Sequence, residues 1–404
     1  MSDFSTELAR RMRARAMGVR ELSRRSGYST GHISQLSRGQ RNPSPGAARD
    51  LDDVLGAGGV LAAAVPAAGN RHAAGQASQG SEDVTDVLGR IQKLSRARAD
   101  PEIIAALGND LRETVARYET LDHDRLVPVL IRQRAWAETI LGGCGHPGQR
   151  RQLFEAAATA SGVLGYVAVG RGDFPLARAY CLEAFRLADF AEDIGLQAWA
   201  RGMQSFCEYY AGRYDDALSL AADGLGCARG GPQSVRLAIN GMARALGKLG
   251  DTEGVYRAVG HATIAGHQVD ASDAPGGVPS SITLGCYSHA QTASNAATAY
   301  VSLGMPEQVQ HYIGQAMPEI STFGSPWGRS LVMIDLAFSH IRSRDADLER
   351  ASGLVLEALS ISADRPVISV RQRAAEFIRD ATAKWGSDPQ VHAVRDAAAA
   401  LRER

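Results

Sequence analysis

Lysine is nearly absent from this chain, with three residues against 41 arginines, a bias we read as coding preference rather than function. Cysteine is sparse too. Cys144, Cys181, Cys207, Cys227 and Cys286 are widely spaced, with no CxxC and no even framework, which favours reduced thiols over disulfides. The N-terminus is polar and no run approaches about 18 apolar residues. Neither secretion nor a membrane is therefore expected, and the chain is placed in the cytoplasm. No β-type alternation of convincing length is present. Enzyme signatures are missing as well: no GxxxxGK(S/T), no GxGxxG after a strand, no GxSxG and no HExxH. No catalysis and no cofactor are expected. His261, His267, Cys286 and His289 offer zinc-type ligands, but their spacing matches no compact site and two of them lie in a loop, so no metal is expected either.

What is present is unevenly placed. Net charge is zero, yet residues 1–45 hold nine Arg against one Asp and two Glu, a net +6, so the remainder carries −6. A basic head on an acidic body suggests a head that binds nucleic acid. At 404 residues the chain has room for two or three domains.

The stretch Arg20 to Ser44, RELSRRSGYSTGHISQLSRGQRNPS, predicts two short helices joined at Gly27. In the first, Val19 to Ser26, Leu22 and Ser26 share an inner face one turn apart. Gly27 stops it, because a left-handed backbone is cheap only without a Cβ. Ser29 or Thr30 caps the second helix, Ile33 and Leu36 form its buried stripe, and Gly39 ends it. A helix from Phe4 to Ala16 precedes, with Phe4, Leu8 and Met12 on one stripe. Another starts at Pro45, with Ala48, Leu51 and Leu55 inward, and stops at Gly56, Gly58 and Gly59.

Helix, glycine turn, helix is the arrangement that lays a second helix in the major groove. GYSTGHISQLSRGQRNPS further resembles the Cro/repressor-type (XRE) DNA-binding domain, whose pattern G-x-S-x-x-x-(I/L)-S-x-(I/L)-E-x-G-x-(R/K)-x-P-(S/T) is met at Gly27, Ser29, Ile33, Ser34, Leu36, Gly39, Arg41, Pro43 and Ser44. The resemblance spans roughly Phe4 to Leu55. Val19 departs from it where such domains often carry a phosphate-contacting Gln. Ser37 departs where they usually carry a Glu paired to an Arg of the first helix. The resemblance implies double-stranded DNA as partner, read by Thr30, Gly31, His32 and Gln35, with Arg38, Arg41 and Asn42 towards phosphates and Ser29 adding a hydroxyl.

The remainder reads as all helix. Val84, Leu88, Ile91 and Leu94 make one stripe; Ile104, Leu107, Leu111, Val115 and Tyr118 make the next; a third helix begins at Asp124. Then the chain repeats. With Ala177, Ala217, Val255, Val309 and Ala351 taken as equivalent, successive spacings are 40, 38, 54 and 42 residues, the mark of an α-solenoid. Leu164-Gly165 with Gly172, Phe174, Ala177 and Ala184, then Gly212, Tyr214 and Ala217, resemble the tetratricopeptide repeat, whose unit is about 34 residues. That match runs roughly from Gln152 to Leu359.

The expected architecture is all-α: a helix-turn-helix domain at 1–64, a flexible Ala/Gly/Gln/Ser linker at 65–81, connecting helices at 82–150, tetratricopeptide-like repeats at 151–363 and capping helices at 364–404. Basic heads on such arrays resemble actinobacterial regulators and, by architecture, peptide-pheromone regulators of Gram-positive bacteria. That resemblance implies a homodimer and a signalling peptide or small-molecule effector. The repeat register points Tyr166, Trp199, Phe206, Tyr209, Asn240, Arg244, Lys248, Gln291 and Ser294 into the groove, with Thr298 and His340 beyond. Asn240 would bracket backbone amides, and Arg244 or Lys248 would hold a carboxylate. The long interval from Gly260 to Gly285 is expected to contain a loop on one face. An alternative is a scaffold that recruits a protein, with DNA contact as a tether.

Overall fold

The computed structural model describes residues 4–65, 83–95, 99–268, 280–323, 325–365 and 367–401. Linker positions 66–81, the middle of the long interval (269–279), the Leu94 side chain and Arg402 lie outside the described residues. The chain is all-α, with no strand among the described residues, and it separates into two compact units, 1–81 and 82–404.

The first unit packs five helices: α1 (Phe4–Ala14), α2 (Val19–Ser26), α3 (Thr30–Ser37), α4 (Pro45–Leu55) and α5 (Val60–Ala63). Phe4, Leu8, Met12, Leu22, Ile33, Leu36, Ala48, Leu51 and Leu55 meet in one core, each at most 8% exposed. Burying a side chain of this size contributes about 1.5–3 kcal/mol. α1 ends at Ala14 rather than Ala16, because Ala16 turns to a positive φ of 49°. Gly27 takes φ 76° and closes α2. The Ser29 hydroxyl accepts from the His32 amide at 3.2 Å and so caps α3. Ser44 does the same for α4 through Ala47. The fifth helix has no counterpart in the sequence expectation, and Asp52 creates it. Its buried carboxylate accepts from the amides of Gly59, Leu61 and Ala62 at 2.6, 2.6 and 3.1 Å, filling the role of an N-cap from the preceding helix.

The second unit opens with α6 (Val84–Ser95), α7 (Pro101–Arg117), a single 3₁₀ turn (Tyr118–Thr120) and α8 (His123–Gly143). The stripe on α7 is buried as its periodicity requires. That on α6 is not: Val84 and Ile91 are 47% and 41% exposed, while Thr85 and Leu88 are buried. α6 packs chiefly on α7 and α8 among the described residues, and the helix turns a narrower and slightly rotated seam inward.

Six helical hairpins follow among the described residues. They are α9 (Pro147–Arg171) with α10 (Phe174–Phe190), and α11 (Ile194–Tyr210) with α12 (Tyr214–Ala228). The third joins α13 (Gln233–Arg236), a π-helix (Leu237–Ala243) and α14 (Arg244–Leu249) to α15 (Thr252–Gln268). The last three are α16 (His289–Leu303) with α17 (Pro306–Phe323), α18 (Pro326–Arg342) with α19 (Leu348–Ile361), and α20 (Ile368–Trp385) with α21 (Pro389–Ala400). Ala177, Ala217, Val255, Val309 and Ala351 occupy the same inner place in five of them, none more than 1% exposed. Gly172, Gly212, Gly250 and Gly304 turn four of the hairpins with φ between 69° and 81°, a conformation that would strain any side chain.

Two features lie outside the periodic pattern. By length and composition α9 would pass for a membrane-crossing helix, its most apolar window having a mean hydropathy of 1.4, but 78% of that window is buried in the body. Its apolarity comes largely from Ala, Gly and Val interspersed with Ser and Thr, so it does not read as one unbroken apolar run. The other is α20, which crosses back over the array rather than only ending it. It packs on α9 and α18, Gln372 donates to the Tyr210 carbonyl at 3.0 Å, and Glu376 takes Lys248 of α14 at 2.6 Å.

Candidate functional site

On the first unit, α3 presents a compact polar face. Ser29, Thr30, Gly31, Gln35, Arg38, Arg41 and Asn42 are exposed, while Ile33 and Leu36 anchor the helix beneath them. Arg24 and Arg25 on the neighbouring α2 are held by Glu21. Arg10 and Arg11 are bound to Glu7, whose carboxyl their hydrogen bonds draw down to about 2. Arg38 and Arg41 make no ion pair with a described residue, so their charge is available to a phosphate backbone. Ser29 keeps its proton for a second partner, since its oxygen only accepts in the cap. His32 differs from its neighbours: it is half-buried and its ring stacks on Tyr28, centroids 5.3 Å apart. Tyr28 is in turn fixed by donating to Asp50 at 2.6 Å.

The second unit holds a partly open pocket, about 1140 Å³ when the solvent space at its mouth is included. Its wall draws on α9, α11, the π-helix, α14, α16, α18 and α20, together with the segment at 280–287. Tyr166 and Phe206 stack with centroids 4.5 Å apart. Tyr210 meets Phe206 edge-on at 4.7 Å, and Trp327 adds a further ring. The polar groups form three clusters. Tyr166 donates to the Ser281 hydroxyl at 3.1 Å, and Ser281 donates both its hydroxyl and its amide to buried Glu119. Burial pushes the Glu119 carboxyl up, offset in part by those donations. Asp335, 1% exposed, accepts from Thr298 at 2.6 Å and pairs with Arg373 of α20. Asn240 donates to Asn295 at 2.9 Å.

The segment at 280–287 is held like a strap. Trp199 donates to the Ile282 carbonyl at 2.9 Å, and the Gln233 amide nitrogen lies within 3.1 Å of the carbonyls of Thr283, Leu284 and Gly285. Gln291 donates to Ser280 at 2.9 Å.

Residues 3–65 match a family model described as a helix-turn-helix domain. That match covers the first unit and well under half of the chain. It supports a helix-turn-helix DNA-binding domain over these residues and, in outline, a DNA-binding regulator. No curated protein matches the chain.

In the helix-turn-helix domain all eight predicted contact residues lie together around α3, with His32 set back against Tyr28. In the body, six of the nine predicted effector residues line the cavity: Tyr166, Phe206, Asn240, Arg244, Gln291 and Ser294, with Thr298 beside them. Three do not. Trp199 is fully buried and packs over Gly162, where a Cβ would come within 2.1 Å of its ring. Tyr209 is 6% exposed and lies behind Tyr210, which takes the wall position one residue along the same helix. Lys248 is spent on Glu376. His340 also lies off the wall. Of the six that do line it, Gln291 and Ser294 are already committed. Gln291 completes a capping box with Ser288, and Ser294 donates to the Gln291 carbonyl. Glu119, Tyr210, Trp327, Asp335 and Arg373 line the cavity without having been anticipated. No local pattern distinguishes them, because they meet only when distant helices close on one another.

Proposed function

We propose that the protein is a cytoplasmic, XRE-type transcriptional regulator. Its helix-turn-helix domain reads double-stranded DNA, and its tetratricopeptide-like body dimerises and senses an effector in the cavity. The observation that carries this is the α3 face. A Ser29-capped helix on a closed apolar core presents Thr30, Gly31 and Gln35, flanked by arginines without internal partners. Gln35 suits bidentate pairing to adenine, Gly31 lets the backbone approach the bases, and Arg38, Arg41 and Asn42 suit the passing phosphates. A dimeric body would set two such helices about one helical turn apart on adjacent half-sites. An effector that prefers one packing of the body would then shift the population of DNA-competent dimers.

The contribution of α20 to the cavity wall supports a small molecule over an extended peptide, since it adds a further side to the pocket. For the same reason it argues against the alternative scaffold role, which calls for an open protein-binding groove. Genome-wide mapping of bound DNA, with Gln35→Ala and Arg41→Ala beside wild type, tests the reading. Discrete palindromic sites that Gln35→Ala loses are expected. Diffuse binding indifferent to both substitutions would overturn it.

A further inference from the structure

The identity of the effector can be narrowed from one residue, on the effector reading above. Arg244 is 4% exposed and lines the cavity. Its guanidinium sits 4.2 Å from the ring centroid of Tyr209 and 5.3 Å from that of Tyr210, and it donates to the Tyr210 hydroxyl at 2.7 Å. Its Nε makes no hydrogen bond, and no carboxylate among the described residues lies within ion-pair distance of it, Asp335 acting on its charge only from further off. An arginine stays charged wherever it is placed, and a buried charge is normally paired because desolvation is so unfavourable. The carboxylates on the same wall are otherwise engaged: Asp335 by Arg373 and Thr298, Glu119 by Ser281, and Glu319 by the Ser288 hydroxyl at 2.7 Å. Arg244 also follows directly on the π-helix at Leu237–Ala243, and such helices are rare and concentrate at functional sites.

We propose that the cavity binds a small organic acid, its carboxylate on Arg244 and its apolar body against the rings of Tyr166, Phe206 and Trp327. The ligand supplies the directly paired anion that the fold leaves out. Two aromatic faces hold the guanidinium in place beforehand, so little ordering is needed on binding. A free acid and the C-terminal carboxylate of a short peptide share this chemistry.

The test uses the full chain and matched probes: phenylacetate, indole-3-acetate and decanoate against their primary amides, and the tripeptide Ala-Val-Phe with a free or an amidated C-terminus. Binding is read by calorimetry and by the shift in Tm. At least one acid is expected to bind, with its amide at least about tenfold weaker. Arg244→Gln is expected to erase that difference and Arg244→Lys to keep part of it. Tighter binding of the free tripeptide than of the simple acids identifies a peptide C-terminus as the source. Amides that bind as well as acids, acid binding that survives Arg244→Gln, or no acid binding at all would overturn the proposal. Should Arg244→Gln fail to fold, the acid–amide comparison on wild type decides alone. The sensor reading fails separately, if a bound acid leaves DNA affinity unchanged.

Discussion

The α3 face and the cavity wall are built in opposite ways. Around α3 the contact residues fall within 14 positions, on or beside one short helix, and the core beneath them comes from periodicities of three and four. Around the cavity the decisive pairs are remote in sequence: Arg244 with Tyr210, 34 positions apart, Asp335 with Arg373, 38 apart, and Ser281 with Glu119, 162 apart. A local surface tolerates single changes. A wall assembled from distant buried groups does not, because each loss strands a partner.

The largest effects are therefore expected in the body. Asp335→Ala leaves buried Arg373 with only its longer, 3.7 Å pairing to Glu376 and should destabilise by about 3 kcal/mol, whereas Asp335→Leu combined with Arg373→Met should recover most of that. Urea denaturation followed by tryptophan fluorescence measures both, since all four tryptophans, at 136, 199, 327 and 385, lie in the body. Failure of the double variant to recover would break the pairing account of the wall. Trp199→Ala should cost about 3–5 kcal/mol in the same assay. An effect confined to ligand affinity would instead restore Trp199 to the cavity.

A smaller effect follows from pH. The His123 ring stacks on Tyr118 at 4.6 Å and lies 5.0 Å from Trp327. Burial, with the charge of Arg365, lowers its pKa to about 4. The unfolded chain takes up a proton near pH 6.5 that the folded chain refuses. Stability from this group is therefore intact above about 6.5 and falls as the pH drops towards 4, by about 2–3 kcal/mol. His123→Phe keeps the stacking and should flatten that part of a Tm–pH profile. An unchanged slope would place the titrating group elsewhere.

On the α3 face, Gln35→Ala should lose about 1–3 kcal/mol of discrimination between the best site and a mismatched one. Arg41→Ala should weaken all sequences alike and lower the salt slope by about one. Fluorescence anisotropy over a salt series separates the two, and the reverse pattern would exchange their roles. Smallest, Ser29→Ala removes the α3 cap at a cost of about 1 kcal/mol, read by thermal melting at a backbone wavelength. No change there would mean that packing of Ile33 and Leu36 alone holds the helix.

Much of this was legible in the sequence, and the misses share one cause. Gly27, Ser29, Ile33 and Leu36 act on neighbours within a few residues, so spacing alone places them. The five equivalent hairpin positions repeat at intervals long enough to align by eye. Trp199 and Tyr209 lie off the cavity wall, because a repeat register says which side of a helix faces its neighbours, not which of two adjacent aromatics reaches the cavity. His32 sits beside the exposed reading face with its ring on Tyr28, which precedes the α3 cap and is held by Asp50, a contact that spacing does not show.

The sequence by itself determined the all-helical class, the basic head with its capped second helix, and the period of the body. Each of these is written in propensities and spacings that act along the chain. Only the tertiary structure decided that α20 joins the cavity wall, that Asp52 caps a fifth helix in the head, and that Arg244 is buried against two tyrosines with no ion-paired carboxylate among the described residues. Those depend on which distant side chains come within hydrogen-bonding reach, and desolvation makes that proximity count only once the chain has folded.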